Sequence, residues 1–249
     1  MASTSETGHA KNVANFEDLI SFCTGYGTAY NPSKVNIKLP ALNTLFTSAK
    51  TILQTVKSTK TILDNSTNVR EIGFEPFKKL CTRIVNALEA TDASKQTVND
   101  AKTINRKIQG KRADKIILPP PPTDPSAKVI EDTHISVSQQ SFDNLIDHFT
   151  KMIQLVSAEP LYNPNEADLK VVQLNTLLTS LKASNTTVIT ATTGHSNALI
   201  SRNDMFYKKD VGLVDIALEV KKYVKSVFGA TSAQYKQVSK LKFTSPRKK

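Results

Sequence analysis

Residues 30–50 read YNPSKVNIKLPALNTLFTSAK, and residues 162–182 read YNPNEADLKVVQLNTLLTSLK, which is the same segment displaced by 132 positions. Eleven of the 21 aligned residues are identical, and the alignment needs no gap. At the same displacement Arg70 meets Arg202 and Phe74 meets Phe206. Upstream, residues 16–20 resemble residues 142–146. Because an internal repeat decides the architecture of a chain, we predict two duplicated copies over about residues 16–110 and 142–245.

Each copy shows the apolar spacing of amphipathic helices. We predict a first helix through residues 16–23 and 142–153, and a long second helix through residues 42–63. In the second copy the equivalent run, residues 185–193, is rich in β-branched residues that favour a strand, but the repeat predicts a helix. A third helix, at residues 77–88 and 213–227, and a shorter fourth, at residues 94–108 and 232–241, complete each copy.

The predicted fold class is therefore all-α, with two tandem, internally duplicated antiparallel helical bundles of three to four helices each, joined by a proline-rich linker. The predicted segments are a flexible N-terminal tail at 1–14, a first bundle at 15–112, a linker at 113–138, a second bundle at 139–245 and a basic tail at 246–249. Four consecutive prolines, at residues 119–122, favour polyproline II. We interpret them as a stiff spacer, with a docking site for a proline-recognising domain as the alternative.

The composition of the 249 residues excludes several protein classes. Two cysteines cannot form a disulfide framework, and no run of 18 apolar residues is present to predict a transmembrane segment. Glycine and aromatic residues are scarce, which disfavours β-sandwiches and barrels. The polar N-terminus has no apolar stretch of the kind found in secretory signals, so we predict a cytoplasmic protein.

The sequence contains no recognisable catalytic, nucleotide-binding or calcium-binding motif. The four histidines are scattered without metal-ligand spacing, and Cys23 and Cys81 fall on apolar helical stripes, where a small core residue is expected. We therefore predict that the protein is not an enzyme. We also predict no catalytic residue, no metal and no cofactor, and the sequence identifies no small-molecule substrate.

Positive charge is the feature that points to a partner. The chain carries 33 Lys and Arg against 22 Asp and Glu, a formal net charge of +11. The charge is divided almost evenly between the two halves of the sequence but concentrates at the end of each copy. These segments predict binding to an anionic polymer such as RNA or DNA; the alternative is a solvated, solubilising surface. The candidate residues are Lys102, Arg106, Lys107, Lys111, Arg112, Lys236, Lys240, Lys242, Arg247, Lys248 and Lys249.

Six further candidates are positions that the two copies share: Tyr30, Asn31, Arg70, Tyr162, Asn163 and Arg202. Tyrosine followed by Asn-Pro predicts a structural corner, and Asn163 with Glu166 has the spacing of a capping box at a helix start. The arginines fall near the end of the long helix, where a cation is favourable. The functional alternative is a pair of equivalent binding sites.

These observations predict a non-enzymatic helical scaffold or binding protein. Its basic segments, residues 102–115 and 236–249, would hold RNA or DNA, for instance on a ribosome or nucleoid. The alternative is a self-assembling structural protein whose bundles stack into filaments or lattices. We expect the partner to be another protein, a second copy of the chain, or a nucleic acid.

Overall fold

A computed structural model describes residues 8–111 and 139–245. This part of the chain contains helices and no β-strand, which confirms the predicted all-α class. The α-helices are α1 His9–Gly25, α2 Leu39–Phe74, α3 Phe77–Glu89, α4 Lys95–Gln109, α5 Phe142–Ala158, α6 Val171–Tyr207, α7 Leu213–Phe228 and α8 Ala233–Ser239. The predicted linker at residues 113–138 and the predicted basic tail at residues 246–249 lie outside the described residues.

Two of the helices, α2 with 36 residues and α6 with 37, are far longer than the others. The β-branched run at residues 185–193 lies inside α6 and is helical, as the repeat predicted. Its threonines are accommodated in part because their hydroxyls donate to the preceding turn, as Thr187 does to the Ala183 carbonyl at 2.9 Å. The helical state of this run therefore follows its equivalent in the first copy rather than its intrinsic propensity.

The chain forms two compact units that do not coincide with the predicted copies. Unit 1 comprises Met1–Asp64 and Thr190–Lys249, and unit 2 comprises Asn65–Ile189. Both boundaries fall within the long helices, so each unit combines the first half of one copy with the second half of the other. The physical reason is length, since a helix of 36 residues extends about 54 Å, well beyond the roughly 30 Å of a small domain.

The core of unit 1 is formed by α1, the first part of α2, the last part of α6, α7 and α8. Its fully buried side chains include Phe16, Leu19, Cys23, Leu42, Ala49, Phe206, Leu213, Ala217, Val220, Val224 and Val238. Since α1 and α2 come from the first copy and the other elements from the second, neither copy supplies this core alone.

The core of unit 2 is formed by the last part of α2, α3, α4, α5 and the first part of α6. Its fully buried side chains include Phe77, Cys81, Ile84, Leu88, Ala101, Ile108, Phe149, Met152, Val156, Leu174 and Leu181. Edge-to-face ring contacts run through it, with Phe77 lying 5.0 Å from Phe149 and Phe74 lying 4.8 Å from Phe142 between ring centroids. Such pairs add modestly to the free energy of burial.

The first helices of the two copies correspond in a different register from the predicted one. The buried residues are Asn12, Val13, Asn15, Phe16, Leu19, Ile20 and Cys23 in α1, and Leu145, Ile146, His148, Phe149, Met152, Ile153 and Val156 in α5. Each buried residue of α1 aligns with a buried residue of α5 when its number is increased by 133. The predicted pairing of residues 16–20 with 142–146 is therefore wrong by seven residues, because two helical turns reproduce the same apolar stripe.

The helix α1 also begins earlier than predicted. It starts at His9, inside the predicted flexible tail at residues 1–14. Burial explains the difference, since Asn12 is 1% exposed and Val13 is 8% exposed, so this part of the chain is packed in unit 1.

Candidate polyanion-binding surface

Positive charge is concentrated in unit 1. Among the described residues, unit 1 carries 15 Lys and Arg against seven Asp and Glu, while unit 2 carries 12 against ten. The even division between the two halves of the sequence is therefore lost when the chain folds, because unit 1 takes the lysine-rich second half of the second copy. An anionic polymer would be attracted mainly to unit 1.

The first predicted basic segment lies on α4 in unit 2 and is partly neutralised. Lys102 forms an ion pair with Glu89, with 2.5 Å between Nζ and Oε1. Arg106 is half-buried, whereas Lys107 and Lys111 are exposed. The pKa of the Asp147 carboxyl is lowered, chiefly by a hydrogen bond from Lys151 and to a lesser degree by the charge of Lys107. Arg112, predicted with this group, lies outside the described residues.

The second predicted basic segment lies in unit 1 and carries unpaired charge. Lys236 lies on α8, Lys240 follows the end of that helix, and Lys242 lies two residues further on. All three are exposed, as are Lys222 and Lys225 on α7, and none of the five forms an ion pair within the described residues. We call these five lysines the α7–α8 basic surface. Arg247, Lys248 and Lys249, predicted with this segment, lie outside the described residues.

A sixth lysine on α7 holds the end of α8 in place. The Lys221 ammonium donates to the carbonyls of Leu241, at 2.7 Å, and Ser239, at 3.2 Å. Burial lowers the pKa of this lysine. Its Nζ also lies 5.7 Å from the centroid of the Phe243 ring. Because Lys221 satisfies one carbonyl in the last turn of α8 and one just after it, it fixes the backbone that carries Lys240 and Lys242.

Two buried asparagines on α1 hold the segment that follows α8. The Asn12 side chain donates to the Thr244 carbonyl at 2.9 Å and accepts from the Thr244 amide at 3.0 Å. The Asn15 side chain donates to the Lys242 carbonyl at 2.6 Å. Lys242 therefore projects from an anchored backbone. Neither anchor was predicted from the sequence, where the available signal was an asparagine at two positions of an otherwise apolar helical stripe.

The shared tyrosines form the predicted corner in each unit. The Tyr30 hydroxyl donates to the Ile37 carbonyl at 2.5 Å, and the Tyr162 hydroxyl donates to the Leu169 carbonyl at 3.0 Å. Both rings are 6% exposed. Burial, with a smaller contribution from nearby carboxylates, raises the pKa of Tyr162 to about 12. Each corner leads through a 3₁₀ turn into a long helix and so sets where that helix begins.

The capping role predicted for Asn163 is wrong, and the equivalent Asn31 caps none of the described helices either. The long helices begin at Leu39 and Val171, eight residues beyond Asn31 and Asn163. The 3₁₀ turns at Val35–Ile37 and Ala167–Leu169 occupy the intervening chain, and neither has a side-chain cap. The tyrosine hydroxyl bond explains the difference, because it holds the chain in a turn between the asparagine and the start of the long helix.

The shared arginines have different surroundings in the two units. In unit 2 the Arg70 guanidinium lies 4.0 Å from the centroid of the Phe142 ring and donates to Asn185 at 3.0 Å, and Asn185 donates to Asp143 at 2.7 Å. In unit 1 Arg202 donates to its neighbour Asn203 at 2.9 Å. Since Asn185 replaces an apolar residue of the first copy, Arg70 and not Arg202 takes part in this partly buried polar network.

The remaining candidate chemistry concerns thiols and imidazoles. Cys23 and Cys81 are fully buried, and burial raises the pKa of each thiol to about 12. His148 is buried, with Gln139 at 2.7 Å from Nε2, and burial lowers its pKa. Within residues 8–111 and 139–245 no three of these side chains and carboxylates converge as metal ligands would.

No protein-family model, no curated protein and no solved structure matches this chain. Within the part of the chain that the structure describes, none of the helices combines the length and apolar character needed to cross a membrane.

Proposed function

We propose that this protein is a non-enzymatic binding protein that holds an anionic polymer, DNA or RNA, on the α7–α8 basic surface of unit 1. The observation that carries the proposal is the set of five exposed lysines that form no ion pair within the described residues, in a unit whose described part has 15 basic and seven acidic residues. Lysines arranged in this way can neutralise phosphates and release their counterions.

The arrangement of the lysines supports contact with a phosphate backbone rather than with bases. Lys222 and Lys225 are three residues apart on α7 and share a face, and Lys225 Nζ lies 5.7 Å from the centroid of the Tyr235 ring on α8. Lys242 projects from a backbone anchored by Asn15. Lysine is a flexible point charge, so this surface would bind with little sequence preference.

Two further parts of the proposal, the non-enzymatic role and the origin of the chain by duplication, are supported by other observations. The two cysteine thiols, whose pKa burial raises to about 12, stay protonated near neutral pH and are poor nucleophiles, which argues against catalysis by a cysteine. The matching buried positions of α1 and α5 support duplication of an ancestral segment as the origin of the chain. A cytoplasmic location remains a prediction.

The experiment that tests the proposed function is a salt titration of binding to a duplex DNA of about 20 base pairs, with single-stranded RNA and heparin as further probes. The variant carries glutamine at Lys222, Lys225, Lys236, Lys240 and Lys242. We expect its affinity for the duplex at low salt to fall more than about tenfold. The slope of log K against log salt should shrink by up to about four, because each phosphate that the protein neutralises adds roughly 0.9 to that slope.

A matched control removes the same charge elsewhere. It carries glutamine at five exposed lysines of unit 2 that form no ion pair within the described residues, namely Lys79, Lys95, Lys111, Lys170 and Lys182. We expect less than about a threefold loss of affinity. Equal losses in the two variants, or binding of the natural protein that does not weaken as salt is added, would contradict the proposal. A third variant with glutamine at Arg247, Lys248 and Lys249, titrated in the same way, measures how much these terminal residues contribute to the affinity for the duplex.

Self-association is a second candidate, supported by exposed apolar side chains on α2. Val69 is 61% exposed and Ile72 is 67% exposed, and these two residues lie three apart on one face of unit 2. Light scattering across a hundredfold range of protein concentration is the test. A monomer at every concentration contradicts self-assembly, whereas an increase in mass that the double substitution of serine for Val69 and Ile72 abolishes supports it.

A further inference from the structure

A cavity of about 520 Å³ lies beside the tyrosine corner of unit 2. One wall is the corner itself, with Tyr162, Asn163 and Pro164, and the other is the face of α3 that carries Asn86, Ala87 and Ala90. A cavity of this size falls in the range that holds small organic ligands.

Unit 1 has the same corner and shows what fills the equivalent place. Four of the five buried residues of α3 coincide with buried residues of α7 at a displacement of 136, which pairs Phe77 with Leu213, Cys81 with Ala217, Ile84 with Val220 and Leu88 with Val224. At this displacement Ala87 of unit 2 corresponds to Tyr223 of unit 1. A methyl group therefore stands at the cavity where the other unit has a phenol ring.

The contacts of Tyr223 define how a phenol ring occupies such a corner. Its ring meets the Tyr30 ring edge to face, with centroids 5.3 Å apart and an interplanar angle of 88°. Its hydroxyl oxygen accepts from the Asn31 amide at 3.2 Å. In unit 2 the corresponding amide, of Asn163, donates instead to the Leu161 carbonyl at 3.1 Å within the turn. The Tyr162 ring thus lacks the aromatic partner that Tyr30 has, whereas the Asn163 backbone amide is already paired within the turn.

A charged pair beside the corner supports the same correspondence. In unit 1 Lys34 pairs with Glu219 at 2.6 Å. Glu219 corresponds to Arg83 in unit 2, and Arg83 forms an ion pair with Asp168, with a smaller electrostatic contribution from Glu166, the counterpart of Lys34. Arg83 carries the opposite charge to Glu219, and its partner Asp168 lies two positions beyond the counterpart of Lys34. In each unit α3 or α7 therefore forms an ion pair with the segment that follows the corner.

We infer that the cavity of unit 2 is a binding site for a para-substituted phenol, the chemistry of a tyrosine side chain, supplied by another molecule. All six tyrosines of the chain, at positions 26, 30, 162, 207, 223 and 235, lie within the described residues. The segments outside those residues therefore hold no tyrosine that could fill the site. The side-chain amides of Asn86, Asn163 and Asn165, which form no hydrogen bond within the described residues, are available to polar groups of the ligand.

Backbone and methyl NMR of the full chain tests the inference with N-acetyl-tyrosinamide as the probe and N-acetyl-phenylalaninamide as the matched control. We expect saturable shifts at Ala87, Ala90 and Asn163, and at least about fivefold weaker binding of the phenylalanine compound, because a site that recognises a hydroxyl rejects the analogue lacking it. Equal binding of the two compounds, or no shift at these residues at about 20 mM probe, given the millimolar affinity expected of a ligand this small, would overturn the inference.

Two reciprocal substitutions keep the test independent of folding defects. Ala87→Tyr should fill the cavity with the chain's own ring and abolish the shifts, and Tyr223→Ala should open a second tyrosinamide site whose shifts appear at Asn31. Retained binding in the first variant, or no new site in a folded second variant, counts against the inference.

A pentapeptide with a central tyrosine and free para-cresol distinguish the sources of the phenol. Tighter binding of the peptide indicates a protein tyrosine, and tighter binding of cresol indicates a small molecule.

Discussion

At the residue scale, the two units act as internal references for each other. The tyrosine corner was predictable, because the tyrosine and its neighbours are identical in both copies. Positions where the copies differ were not, since the difference shows only after the helices are superimposed. His9, for example, occupies the place of Phe142, and its ring contacts Phe206 at 5.1 Å between centroids as Phe142 contacts Phe74. The register predicted from the sequence aligns Phe142 with Phe16, so it does not show that His9 and Phe142 are equivalent.

Substituting phenylalanine for Tyr30 or Tyr162 should destabilise the unit that carries it. Each substitution removes a hydroxyl that donates to a buried corner carbonyl, so we expect a loss of about 1–2 kcal/mol in the free energy of unfolding. Chemical denaturation followed by circular dichroism measures it. Tyr235→Phe is the control, because the Tyr235 hydroxyl forms no hydrogen bond within the described residues. A loss of the same size in the control would contradict a specific role for the corner bonds.

The buried thiol of Cys81 should make stability fall at high pH. Burial raises its pKa from 9.0 to about 12 in the folded protein. The unfolded chain therefore releases this proton first, and stability declines from about pH 9 towards pH 12. Denaturation midpoints measured at intervals from pH 7 to pH 10.5 should fall less steeply in Cys81→Ala than in the natural protein. Identical slopes, or rapid reaction of the native thiol with a disulfide reagent at pH 8, would contradict the assignment.

At the element scale, the helices were predictable and their ends and registers less so. Apolar periodicity located most of the α-helices of the described residues, and the repeat located α6 against the β-propensity of residues 185–193. Periodicity failed in the alignment of α1 with α5, because a shift of seven residues preserves an amphipathic stripe. It also failed to show that α1 begins at His9, since the contacts that order this turn come from the distant segment after α8.

Asn12→Leu should release that segment from α1. Leucine occupies the equivalent position, Leu145, in unit 2, so the helix itself should tolerate the change. The two hydrogen bonds to Thr244 would be lost, and we expect its amide to exchange with solvent at least about tenfold faster, consistent with about 1.4 kcal/mol of local stability. Hydrogen–deuterium exchange measures this. Unchanged exchange at Thr244, or equally accelerated exchange throughout α7, would contradict a local anchoring role.

At the scale of the whole molecule, the sequence specifies which faces are apolar but not which helices those faces meet. The same pattern of apolar residues is compatible with two tandem bundles, one from each copy, and with two units that each combine halves of both copies. The decisive quantity is the length of α2 and α6, which was predictable only in part because the middle of each helix is polar on most sides. The distribution of positive charge also depends on this pairing of helices. The net positive charge is divided almost evenly along the chain, but it is in excess in unit 1 because that unit combines halves of the two copies.

This organisation predicts that neither copy folds alone and that the two copies fold together. Residues 1–112 supply α1 to α4, which are parts of two separate cores, and residues 139–249 supply the complementary parts. Each fragment alone would leave both of its apolar faces uncovered, so we expect little cooperative unfolding, or self-paired oligomers. Mixing equal amounts should restore one-to-one complexes with the helical content of the intact chain. Circular dichroism and light scattering on the separate and mixed fragments measure this. Two stable monomeric fragments that do not associate would contradict this prediction. Such fragments would each bury their own apolar faces, and neither would expose an apolar surface for the other to cover.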